Sequence, residues 1–145
     1  MNALTWFALI CYGLAFLGVL ILAAAYLVRS EFMPYHSVAV ARPWQDVDPA
    51  MQILLMALIR VVGATNFALG VSGILMLYLL FSQQWGFPQL LAFQVFCLIA
   101  VVPPLAVTLY VRKKTKAPTP VLSVCSIGLL TLAGFAFAVL SGQYL

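Results

Sequence analysis

The side chains able to do chemistry are few, and most fall in one stretch. Between Arg29 and Arg60 stand Arg29, Glu31, His36, Arg42, Asp46, Asp48 and Arg60. They include all three carboxylates and the single histidine. Such a set, with Trp44 inside it, could bind a cation, relay a proton or hold an anionic group. Each residue also has a plainer reading. His36 suits an interfacial loop that bonds headgroups, and without a second histidine a bis-histidine haem is excluded. Asp46 and Asp48 are two apart and would not share a helix face. Asp48 before Pro49 reads as a helix cap, because Asp accepts from free backbone N–H groups and proline at the first helical position loses no bond. The remaining acids suit loop solvation or a salt bridge to Arg29, Arg42 or Arg60. Arg60 is the least ordinary, since an arginine among apolar neighbours is costly unless it reaches an acid or a lipid phosphate. Glu31, His36, Trp44, Asp46, Asp48 and Arg60 therefore form the candidate interfacial polar site. No residue is assigned a catalytic or metal-binding role, and no cofactor is expected.

The rest of the chain explains where that site must sit. Of 145 residues 66% are hydrophobic and 7% charged, against about 25% charged in an ordinary soluble domain. So little charge cannot coat a water-facing surface, and the expectation is one integral membrane domain. The net charge of +4 reads as a topology signal. No basic stripe interleaved with aromatics points to nucleic acid. Cys11, Cys97 and Cys125 lie in separate apolar segments with no Cys-x-x-Cys pair, so each reads as a small buried hydrophobe.

Four apolar runs carry the expected spans, at about 4–28, 51–81, 88–111 and 121–141 of a single domain 1–145. The first has no Lys or Arg before it and reads as a retained span, not a cleaved signal. The second is too long for one perpendicular crossing. Counting about 20 residues back from Phe81 places Arg60 at the far interface and leaves 51–59 interfacial, tilted with the whole helix or packed on another helix. Pro34 and Pro43 argue against a long helix in 30–48, which is expected to be a short interfacial loop. The short turn 82–88 predicts that spans two and three are antiparallel neighbours. Pro103 and Pro104 predict a kink in span three.

All Lys and Arg fall in 29–60 and 112–116, two islands on one side of a four-span chain. The positive-inside rule puts both in the cytoplasm and both termini outside. Trp6, Trp85 and Tyr144 then mark the outer interface, and Tyr26, Tyr35, Trp44 and Tyr110 the inner one. The expected fold is thus an all-α, four-helix transmembrane bundle.

Gln52, Gly63, Asn66, Gly70 and Gly73 share a face about 80° wide at helical periodicity. Small residues on such a stripe read as a helix-packing face, with Asn66 supplying an interhelical hydrogen bond. Ser123, Thr131, Gly134 and Ser141 make a looser stripe on span four.

The run Glu31-Phe32-Met33-Pro34-Tyr35-His36, then Trp44, the Asp48-Pro49 junction and Arg60-x-x-Gly63 resemble small four-span bacterial inner-membrane proteins of unassigned function. The resemblance covers about the first half of the chain and implies the bacterial inner membrane. It carries over no catalytic residue. The membrane-associated glutathione and eicosanoid enzymes are similar in length and span count, but their Arg-x-x-x-Asn-x-x-Glu signature is not found here. The expected role is a non-enzymatic subunit or oligomeric scaffold contacting membrane lipids, a second copy or a larger membrane complex, with no nucleic acid. The alternative is an enzyme or binding protein for a lipophilic or anionic lipid-like molecule, with its polar site at the cytoplasmic interface.

Overall fold

In the computed structural model, which describes residues 2–83 and 86–144, five α-helices and one 3₁₀ turn follow in order. They are α1 (Ala3–Val28), α2 (Pro34–Val40), the turn Trp44–Asp46, α3 (Pro49–Ser82), α4 (Phe87–Thr115) and α5 (Val121–Leu140). No strand occurs among the described residues. α1, α3, α4 and α5 are each long and apolar enough to cross a membrane, the mark of a multi-pass membrane protein. Trp85, the expected outer marker in the turn before α4, lies outside the described residues.

Local chemistry sets the ends of these helices. Asn2 caps α1, its side-chain oxygen accepting from the Thr5 N–H at 2.9 Å. Asp48 caps α3, accepting from Ala50 N–H at 3.0 Å and Met51 N–H at 3.3 Å, with Pro49 at the first helical position. α4 stops at Lys116, which is left-handed (φ 56°) and donates its N–H to the Arg112 carbonyl. Pro118 and Pro120 then stop the helix from resuming before α5. α4 runs as one helix through Pro103 and Pro104, both exposed.

The segment after α1 is more ordered than the expected loop. Pro34 starts a seven-residue helix and Ala41, left-handed at φ 54°, ends it. The prolines forbid a long helix but favour a short one, because proline costs nothing in the first turn.

Packing does not follow chain order. α1 is central and packs along both α3 and α5, and α4 packs on α5, whereas α3 and α4 touch sparsely despite the short turn between them. The reason lies in the small residues. A Cβ added at Gly70 would stand 2.6 Å from Leu20, and one at Gly63 2.9 Å from Leu27. At Gly73 it would fall into the ring of Phe16, and at Gly134 it would stand 2.8 Å from Tyr12. Without a hydrophobic drive in lipid, helices associate where their backbones can approach, and these glycines let α1 in on both sides.

The core is asymmetric along the bundle. At one end all four long helices meet: Tyr12 and Phe16 from α1, Leu77, Leu80 and Phe81 from α3, Leu90 and Phe93 from α4, with Ala138 and Tyr144. Toward the charged end a second cluster joins Ala15, Val101, Val124 and Ile127, from α1, α4 and α5. No buried residue of α3 belongs to it.

Candidate functional site

The helix register gives the level of three arginines along the bundle. α3 runs antiparallel to α1, with residue 73 against 16, 70 against 20 and 63 against 27. One turn further on, Arg60 comes level with Arg29, just past the end of α1. α4 runs alongside α1 in the same direction, with the Tyr12 hydroxyl donating to Gln94 at 2.8 Å. The same rise brings Arg112 to about the level of Ser30. Arg29, Arg60 and Arg112 are all exposed, so they form a collar at one depth.

Beyond that collar α3 continues from Ile59 back to Pro49, roughly 16 Å at 1.5 Å per residue. This overhang is apolar. Met51, Leu54 and Leu58 recur at i, i+3 and i+7 and are about half exposed, at 48%, 54% and 53%. The opposite side is tied to the segment before it, Gln52 Nε2 donating to the Trp44 carbonyl at 2.8 Å.

Between α1 and the overhang, α2 and the 3₁₀ turn gather aromatic rings. His36 lies 4.3 Å from Tyr35, 5.7 Å from Phe32 and 6.4 Å from Tyr26, centroid to centroid. Phe32 meets Trp44 edge-on at 4.5 Å, and the Tyr26 and Tyr35 hydroxyls share a hydrogen bond. His36 Nδ1 accepts from the Met33 N–H at 3.3 Å, which leaves the ring proton of the neutral form on Nε2. Burial among these rings lowers the His36 pKa, because the low-dielectric surroundings disfavour the imidazolium. Burial, and then the bond to Tyr26, raise that of Tyr35.

Of the sequence-derived polar site, His36 and Trp44 therefore belong to one cluster, joined through Phe32. Glu31 and Trp44 line a common groove with Arg29 and Gln45. Asp46 and Asp48 are not among its lining residues, and Asp48 is occupied as the α3 cap. Arg60 stands apart from the groove on α3. Among the described residues no group of three or more His, Cys, Asp or Glu could hold a metal ion.

On the glycine face, Gly63, Gly70 and Gly73 are buried against α1. Asn66, also on α3, is half-buried and lines a narrow cavity of about 30 Å³ among the four long helices, with Phe16, Cys97 and Thr131. Gln52 lies beyond the collar and serves the 3₁₀ turn.

One polar feature escaped the sequence reading. The Tyr12–Gln94 bond is buried between α1 and α4, and Gln94 Nε2 and the Tyr144 hydroxyl are buried with no partner among the described residues. The available signal was Gln94 itself, the only amide between Leu90 and Val107. In lipid such a group must find a partner within the protein.

Compared with protein-family models, with curated proteins and with solved structures, the chain matches none.

Proposed function

We propose that this protein is a non-enzymatic component of a membrane assembly that docks a protein partner through the overhang of α3. In this reading it lies in the bacterial inner membrane, as the resemblance of its first half implies. Both termini are outside, and residues 29–60 and 112–116 are at the cytoplasmic face. The observation that carries the reading is the apolar stripe Met51, Leu54 and Leu58, which stays exposed beyond the arginine collar. Apolar side chains within the hydrocarbon need no partner, because lipid covers them. Beyond the depth where arginines meet phosphate, lipid tails no longer reach, and an exposed stripe of this kind marks an interaction surface. Its i, i+3, i+7 spacing suits a partner helix or a second copy of the same face.

The test is native mass spectrometry from nanodiscs. Wild-type protein should be released with a second copy or a co-purifying subunit, and Leu54→Glu with Leu58→Glu should release it alone. Leu129→Ala, on an exposed lipid-facing position of α5, should keep the partner. A monomeric wild type, or loss of the partner from all variants alike, would overturn the reading. Topology is checked separately with an impermeant thiol reagent on intact cells. In a Cys-free background a cysteine at Gln84 should be modified and one at Lys114 spared, and the reverse pattern would invert the orientation.

A further inference from the structure

The groove beside the overhang has a chemistry of its own. Arg29, Glu31, Phe32, Ser37, Trp44 and Gln45 line a space of about 300 Å³. That is at the lower edge of the range of small-molecule sites, roughly 300–1,000 Å³. Its depth is known from the register, because Arg29 belongs to the arginine collar. What reaches that depth from the bilayer is a lipid headgroup.

The lining is not that of a simple anion site. Arg29 offers a guanidinium, whose fork of N–H donors matches phosphate oxygens. Glu31, two residues on, offers a carboxylate that would repel an anionic headgroup and attract an ammonium. Both are exposed and free to turn toward the groove. Trp44 and Phe32, edge-on at 4.5 Å, form an aromatic wall, and aromatic faces favour cations. Ser37 and Gln45 add acceptors that a primary ammonium can use and a quaternary one cannot. One positive group, one negative group and an aromatic wall, set at headgroup depth, are complementary to a zwitterion.

We infer that this groove binds the phosphoethanolamine headgroup of a membrane phospholipid, with Arg29 on the phosphate and Glu31, beside Trp44, on the ammonium. The site uses none of Met51, Leu54 or Leu58, so it stands or falls separately from the docking stripe.

The experiment is lipid retention. Full-length protein is released in a native mass spectrometer from nanodiscs of equal phosphatidylethanolamine and phosphatidylglycerol, and bound lipid is counted by headgroup. Wild type should retain phosphatidylethanolamine preferentially. Glu31→Gln should cut that ratio on the order of tenfold, since it removes a charge-assisted contact. Arg29→Gln should reduce retention of both lipids, and Leu54→Glu should leave the ratio unchanged. Soluble phosphoethanolamine is added in a parallel arm, read by the difference in tryptophan emission between wild type and Trp44→Phe. No lipid preference in wild type, or a ratio that survives Glu31→Gln, would overturn the proposal. A Trp44 response to soluble phosphoethanolamine without lipid retention would overturn the lipid as the source of that headgroup.

Discussion

The two ends of the bundle are built from similar apolar helices but held by different means. At the end near the termini, four long helices close on a core of Tyr12, Phe16, Leu80, Phe81 and Phe93. A hydrogen-bonded seam ties the start of α1 to the tail there. Asn2 Nδ2 donates to the Ser141 carbonyl and the Thr5 hydroxyl to Gln143 Oε1, both at 2.9 Å. At the charged end α3 runs on past the end of α1, and its overhang, α2 and the 3₁₀ turn carry the exposed groove and stripe. The closed end is held by packed aromatic rings and by hydroxyl and amide hydrogen bonds, and the open end is short helices cut by proline. The difference places stability at one end and adaptable surface at the other, because buried interhelical contacts raise the cost of opening and exposed short elements do not.

Substitutions at the glycine seam should have the largest effect. Gly73→Leu drives side-chain atoms into Phe16, which is 4% exposed and packed in the core. Overpacking of that kind costs about 3 kcal/mol, and the melting temperature in detergent should fall sharply. Gly70→Leu should follow. Ala68→Leu, on an exposed face, should leave melting unchanged. Equal losses from Gly70→Leu and Ala68→Leu would mean that α3 packs on another face.

Next comes the buried polar pair. Tyr12→Phe leaves the Gln94 amide with no partner and should cost about 1–2 kcal/mol. Adding Gln94→Leu should recover most of that loss, because removing both partners removes the desolvation cost of the orphan. A double variant no better than Tyr12→Phe alone would show that Tyr12 acts through shape and not through the bond.

At the open end the expected effect is smaller and depends on pH. The folded His36 pKa lies below the ordinary 6.5, so the folded state resists a proton that the unfolded chain accepts. The stabilisation is complete above about 6.5 and is lost as pH falls toward the folded value. Protonating Nδ1 would also end its acceptance of the Met33 N–H. Amide exchange in 31–48 should therefore speed up, relative to α1, on going from about pH 8 to about pH 5. His36→Phe should flatten the response. A profile that survives that change would assign the transition to another group.

The smallest effect on stability should come from the stripe. Leu54→Glu places a charge on a half-exposed position and should shift monomer stability by no more than about 0.5 kcal/mol, read as an unchanged melting temperature in detergent. A large loss would mean that the overhang is part of the core.

The sequence by itself determined the four long helices and their limits, though not the short helix α2. Asn2, Pro34, Asp48-Pro49, Gly86 and the prolines after Lys116 are local signals, and each acts at the position where it stands. The length and hydropathy of the four runs are local as well, which is why the spans were legible without any contact being known. Tertiary structure alone decided which helices pair. That α1 is central, that α3 and α4 part, and that Gln94 meets Tyr12 across 82 positions of chain are all long-range facts. In a soluble protein the contrast between apolar and polar faces would have announced the packed side. Here both sides of every long helix are apolar, because lipid and protein core are alike as solvents for leucine. Only small residues and buried polar groups distinguish the faces. The glycines of α3 could be read as a stripe for that reason, whereas the partner of that stripe could not. The candidate site divided along the same line. Glu31, His36 and Trp44 stood out as rare polar or aromatic residues, but the groove exists only because α2 and the 3₁₀ turn fold back beside the end of α1.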